Sequence, residues 1–169
     1  MKTKQWLALV CAVLMMTVAL CGCGQETGGK SGPSKTVSAL TSASGKPGDT
    51  VEITLSMEEN TGLWGFSWNV MYDNTAMTAM EVTFPDKIQE DFGMISNKGT
   101  GKVVVQGAGN DITDYTYTGE IATVSFVIAE NAAPGDYPIT IQYDAGNNID
   151  CNANEIPLTF TQGVVTVTA

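Results

Sequence analysis

The chain has 169 residues, 43% of them hydrophobic and 15% charged, which is ordinary globular composition at a length of roughly one domain. Its 8 Lys and Arg face 18 Asp and Glu for a net charge of −10, a surface that repels nucleic acid and anionic lipid headgroups. It contains no His, so Ser-His-Asp and Cys-His mechanisms and zinc sites built on imidazole are excluded.

Lys2 and Lys4 precede an apolar run from Trp6 to Leu20 interrupted only by Thr17, the layout of a secretory signal and too short to span a bilayer comfortably. The run ends in Leu20-Cys21-Gly22-Cys23, which resembles the bacterial lipobox, with an aliphatic residue three places before the modified cysteine and a small one directly before it. Cys21 fits less well, because Leu20 would then occupy the small-residue place. The resemblance implies cleavage after residue 22 and a diacylglycerol anchor on Cys23, which ties the chain to the extracellular face of a bacterial membrane. Cys11 and Cys21 leave with the signal and Cys23 is lipidated, so Cys151 alone remains and no intramolecular disulfide is predicted. The mature chain keeps six Lys against 18 Asp and Glu, a net charge of −12.

Residues 23–35 are Gly, Ser, Lys and other polar residues and read as a flexible tether; residues 36–169 read as one domain. Within it nearly every segment is strand-like. Thr36 to Thr41 is a first short strand, and Ser44-Gly45-Lys46-Pro47-Gly48-Asp49 is turn chemistry leading into Thr50 to Met57, where Val51, Ile53, Leu55 and Met57 alternate with polar residues. In Gly62 to Asp73, Trp64, Phe66, Trp68, Val70 and Tyr72 share one parity and Gly65, Ser67, Asn69 and Met71 the other, so one face builds core and the opposite face is small and polar. Thr75 to Phe84 is mixed in period, and Asp86 to Ser96 is the least periodic stretch, with a short strand around Gly93 to Ser96. Lys102 to Gln106 is a β-branched strand that Gly107-Ala108-Gly109-Asn110-Asp111 breaks.

Glu120 to Ile128 is apolar on both parities and is expected to be a central strand. Pro134-Gly135-Asp136 turns into a strand over Tyr137 to Tyr143, and after a loop rich in Asn and Asp the strands Pro157 to Thr161 and Val164 to Thr168 close the domain. Eight or nine short strands without a convincing helix predict an all-β fold, an antiparallel β-sandwich.

No cleft is marked for a carboxylate pair, so no enzymatic role and no cofactor are assigned. Cys151 has no neighbouring base or second Cys and reads as a small loop residue. The Asp144 to Glu155 loop is rich in oxygen ligands for calcium, but it lacks the EF-hand arrangement, Asn and Asp are also turn formers, and no metal is assigned. Trp64, Trp68, Tyr115 and Tyr117 are the candidates for a sugar-stacking platform, with core or loop packing the expected role for all four.

Five pieces of the chain together resemble the cohesin domains that receive dockerin-bearing enzymes in bacterial cellulosomes. They are Ser44 to Val51; Gly65-Phe66-Ser67-Trp68 with Tyr72-Asp73; Gly101-Lys102-Val103-Val104-Val105; Ala133 to Ile141; and Gly163-Val164-Val165-Thr166-Val167. The resemblance implies a nine-stranded jelly-roll sandwich with one outer sheet face reserved for a dockerin-bearing protein. That face is assigned to Ser67, Asn69, Met71, Val103, Val105, Thr140 and Gln142, with Gly65 and Gly107 on it and Asn110 and Asp111 at its rim. The chain departs from the family at Asn74, where Pro is usual, and at Gly65, Ser67, Gly107 and Gly109, where larger contact residues are often found. The alternative partner on the same fold is a polysaccharide.

Overall fold

The computed structural model describes residues 36–169. The expected signal segment 1–22, the lipidation site Cys23 and the tether 23–35 lie outside the described residues.

The elements in order are β1 (Thr36–Leu40), β2 (Ala43–Gly45), β3 (Thr50–Asn60), β4 (Gly65–Met71), β5 (Met77–Thr83), α1 (Asp86–Asp91), β6 (Phe92–Gly99), β7 (Lys102–Gly109), β8 (Gly119–Ile128), β9 (Gly135–Ile149), β10 (Leu158–Thr161) and β11 (Gly163–Val167). They form a sandwich of a five-stranded sheet, β10-β1-β3-β8-β5, and a six-stranded sheet, β2-β11-β9-β4-β7-β6. β8 lies inside its sheet between β3 and β5, and its second parity is only partly covered: Ile121 is buried and Thr123, Ser125 and Val127 are half-buried.

The eleven strands reconcile with the nine expected once their interruptions are considered. Only Thr41 and Ser42 separate β1 from β2, and only Gln162 separates β10 from β11; each pair passes from the five-stranded to the six-stranded sheet, and counting each as one strand gives nine. The two crossings lie side by side, so β1 pairs with β10 and β2 with β11 in parallel, the exceptions to an otherwise antiparallel fold. Gly163 makes this possible, because a Cβ there would sit 2.1 Å from the carbonyl oxygen of Thr41.

The period of two holds where the two parities differ most. Val51, Ile53, Leu55 and Met57 of β3 and Phe66, Trp68 and Val70 of β4 are all buried, and they meet Val124, Phe126 and Ile128 of β8 in the space between the sheets. Three features differ from expectation. Residues 86–91 form a single helical turn and a half, led by Pro85 with extended ψ and by Asp86 in the first turn, which inserts Ile88 into the core. β6 runs for 8 residues, and β9 continues well past Tyr143 to Ile149.

One polar contact sits inside the core. The Trp68 indole N–H donates to Asn148 Oδ1 at 3.1 Å, the Asn148 amide N–H2 donates to the carbonyl of Ile156, and the Ile156 N–H returns to the Asn148 carbonyl at 2.7 Å. Trp68 and Asn148 are both fully buried, so every one of these groups depends on its protein partner. Asn148→Leu strands the Trp68 N–H and the Ile156 carbonyl at about 1–3 kcal/mol each. Urea unfolding is therefore expected to show a loss of about 2–5 kcal/mol, and a loss below about 1 kcal/mol would contradict this role.

Candidate functional site

The outer face of the six-stranded sheet follows from β4. Because Trp68 and Phe66 point inward, Ser67, Asn69 and Met71 point outward, and in antiparallel pairing a residue shares its face with the one directly opposite. Opposite Ser67, Asn69 and Met71 in β7 stand Gln106, Val104 and Lys102; opposite Asn69 and Met71 in β9 stand Gln142 and Thr140. β6 adds Gly93, Ile95 and Asn97, paired with Ala108, Gln106 and Val104. Ser67, Asn69, Met71, Thr140 and Gln142 are thus brought together as expected, half-buried or exposed on one surface.

Val103 and Val105 are not on it. Both are fully buried, paired with Val70 and Trp68, and belong to the core. Three consecutive valines leave the parity of β7 open when that segment is read alone, but Lys102 and Gln106 bracket them on the polar parity and place Val104 outward. Gln106 Nε2 donates to Ser67 Oγ at 2.9 Å, which ties the two central strands together on this face.

Gly107 and Gly109 likewise act inward. A Cβ on Gly107 would lie 2.4 Å from the Phe66 ring, and one on Gly109 would lie 2.5 Å from the Tyr115 ring and 2.8 Å from that of Trp64. They are glycines because aromatic rings lie directly against them, so Gly107 meets the outer face with backbone alone, at the depression over Gly65. Gly65 is different: buried, but on the outward parity, with Ile149 Cγ1 at 3.5 Å from where its Cβ would be.

β9 adds relief to the face. Tyr143 is opposite Trp68 and Asn148 opposite Phe66, so the single residue Ser67 of β4 faces four of β9, and residues 144–147 form an excursion beside it. Gly146 and Asn147 of that excursion, with Ile95 and Ile149, surround a depression of about 340 Å³ whose floor includes Gly65. At the neighbouring end, Asn110 is exposed but its amide is engaged, donating to the Glu90 carbonyl at 3.0 Å. Asp111 is exposed beyond it; its carbonyl accepts the Trp64 indole N–H at 2.7 Å and its N–H donates to Tyr115 Oη at 2.9 Å. Both residues follow the end of β7, with their polar groups bonded to α1, Trp64 and Tyr115.

None of the outward positions of β4, β6 and β7 carries a carboxylate and none is aromatic; Lys102 is their single charge. Trp64, Tyr115 and Tyr117 are half-buried with their polar atoms bonded, Tyr117 to the Glu120 carbonyl at 2.6 Å, and Trp68 is in the core. The Asp150 carboxylate accepts the N–H of Asn152 and the N–H and amide of Asn154, bonds that hold its pKa below the usual value, the Asn154 side chain foremost. Among the described residues no three His, Cys, Asp or Glu side chains cluster as a metal site. Asp114, which accepts the Cys151 N–H at 2.7 Å, pushes the Cys151 thiol above its ordinary pKa, the opposite of an activated nucleophile.

A family model described as Cohesin domain matches residues 36–167. Among solved structures, a cohesin of Clostridium acetobutylicum is 23% identical over 80% of this chain and 92% of its own, with a TM-score of 0.62. The cohesin in a type I cohesin–dockerin complex from Clostridium thermocellum is 19% identical over 82% of this chain and 96% of its own, with a TM-score of 0.67. A non-cellulosomal cohesin from the archaeon Archaeoglobus fulgidus is 14% identical over 80% and 93%, with a TM-score of 0.66. No curated protein sequence matches the chain.

The two kinds of glycine are separable by stability. Gly107→Ala forces the Phe66 ring aside and is expected to cost about 1–3 kcal/mol in urea unfolding, whereas Gly65→Ala makes an ordinary contact and is expected to change stability by less than about 1 kcal/mol. Equal effects would contradict the assignment.

Proposed function

This chain belongs to the cohesin family, and from that premise we propose that it is a binding module whose outer β9-β4-β7-β6 face docks a dockerin-bearing protein. The observation that carries the proposal is the charge pattern of that face: a chain with 18 Asp and Glu puts none of them on the outward positions of β4, β6 and β7. Desolvating a carboxylate against a partner is costly, and the centres of protein interfaces are depleted in charge for that reason. Met71, Ile95 and Val104 supply apolar area, and Ser67, Asn69, Gln106, Thr140 and Gln142 supply hydrogen-bonding groups around it. The sheet holds all of them on rigid backbone, so little ordering is needed on association. The dockerin complex of the Clostridium thermocellum relative supports the same partner class here.

A polysaccharide partner has less support, since the face offers no aromatic ring to stack on a sugar. Display is proposed through a lipid on Cys23, supported by the Leu20-Cys21-Gly22-Cys23 sequence and by the tether that follows it. The module would thereby hold its partner at the outer surface of a bacterial membrane, and it acts without catalysing a reaction.

Calorimetric titration against the dockerins encoded by the same genome tests the docking. At least one is expected to bind, and Asn69→Asp is expected to weaken it at least tenfold without lowering the Tm. Binding by none, or an unaffected Asn69→Asp variant, overturns the proposal. For the anchor, cells labelled with radioactive palmitate are expected to mark the protein, and Cys23→Ala is expected to abolish the label and release the protein into the medium; a retained label would refute the assignment.

A further inference from the structure

The depression over Gly65 has a more specific chemistry than the flat sheet beside it. Its floor is strand backbone at Gly65 and Gly93, with Gly65 paired to Ala108 on one side and to Ile149 on the other. Its walls are Ile95, which is 64% exposed, Ile149, and Gly146 with Asn147 of the β9 excursion. Ser67 and Gln106, the polar side chains at its edge toward the centre of the face, are bonded to each other. An aliphatic group fits these surroundings better than a polar one, because it gains contact with two isoleucines and displaces water without taking a hydrogen bond from it.

One end is charged. Gly146 lies between two exposed carboxylates: a Cβ on it would be 3.8 Å from Asp144 Oδ1 and 3.9 Å from Glu155 Oε1. The ion pair described among residues 36–169 is Lys87–Glu90, on α1, and does not involve either of them. The outward positions of β4, β6 and β7 carry Lys102 as their single charge and no carboxylate, so Asp144 and Glu155 are the local source of negative potential.

We infer that this depression is a socket for one branched aliphatic side chain of the docked protein, and that a Lys or Arg close to that side chain on the partner is clamped by Asp144 and Glu155. The inference deepens the docking proposal and rests on it for the identity of the partner. A second copy of this chain is a poor occupant, because its own excess of carboxylates would meet Asp144 and Glu155. The clamp makes the socket selective for a basic flank, and it sets the orientation of the partner on a sheet that is otherwise nearly featureless.

The test is an NMR titration of the 15N-labelled protein with a helical peptide carrying one Leu and two Lys, three and four residues from it. The amides of Gly65, Gly93 and Gly146 are expected to shift and to saturate. Replacing the peptide Leu by Ala, or both Lys by Glu, is expected to weaken the interaction at least tenfold. In the protein, Gly65→Val, which fills the socket, and Ile95→Ser, which changes an exposed wall, are each expected to give the same loss. No shift at these glycines, or equal shifts with the Ala peptide, overturns the inference. The two proposals fail separately: a dockerin that binds Gly65→Val as tightly as the unmodified protein removes the socket and leaves docking in place. Shifts at the socket together with silence from every dockerin remove docking and leave the socket.

Discussion

The hydrogen bond between Trp68 and Asn148 is the constraint from which both sides of the six-stranded sheet take their form. Trp68 is the largest side chain in the core, and its indole N–H needs an acceptor in a place water does not reach. Asn148 supplies one, but it must stand opposite Phe66 to do so, while Tyr143 stands opposite Trp68 itself. The residues between have no place in the ladder and leave it as the 144–147 excursion. A requirement of the buried face is thereby translated into a wall on the exposed face, beside the outward positions Gly65 and Ser67.

Glycines perform the complementary task. Phe66, Trp64 and Tyr115 lie directly against Gly107 and Gly109, and Phe66 packs at 4.6 Å from the Trp68 ring and 5.7 Å from Phe92. Aromatic bulk is held inside, so the outer surface of β4 and β7 carries no ring and presents Met71 and Val104 among the polar side chains of Ser67, Asn69 and Gln106. Charge is segregated in the same way: the carboxylates lie at Asp111, Glu155 and along β9 at Asp136 and Asp144, and the outward positions of β4, β6 and β7 have none. An apolar centre with a charged margin is the usual anatomy of a protein interface.

What the sequence made legible depended on whether a segment's two faces differed. β3 and β4 each have one apolar parity and one polar parity, and both their strand character and their orientation followed from that alone. β7 has valine on both parities at its centre, and only its ends, Lys102 and Gln106, mark the polar parity; the register with β4 agrees with them, placing Gln106 opposite Ser67 and sending Val103 and Val105 inward. α1 contributes a single buried residue, Ile88, and one apolar position cannot display a helical period. The crossings at Thr41-Ser42 and Gln162 depend on neighbours far apart in the chain, and the tight approach of Gly163 to Thr41 has no local signature. The excursion in β9 was hidden for a related reason: Asp144-Ala145-Gly146-Asn147 has the composition of a turn, and it is the distant Trp68 that fixes it as part of a strand. The likeness to the cohesin family supplied the sandwich and the docking sheet together, but the outward residues of β6 and β7 required the pairing itself.

The most direct test of docking through this face is a crystal structure of the protein bound to a dockerin from the same genome. In the expected complex the dockerin lies across Asn69, Val104 and Gln142, with an aliphatic side chain over Gly65 and a basic one at Asp144 and Glu155. A dockerin seated on the outer face of the β10-β1-β3-β8-β5 sheet, or held by loops with the β4 and β7 outer positions still in water, would contradict it.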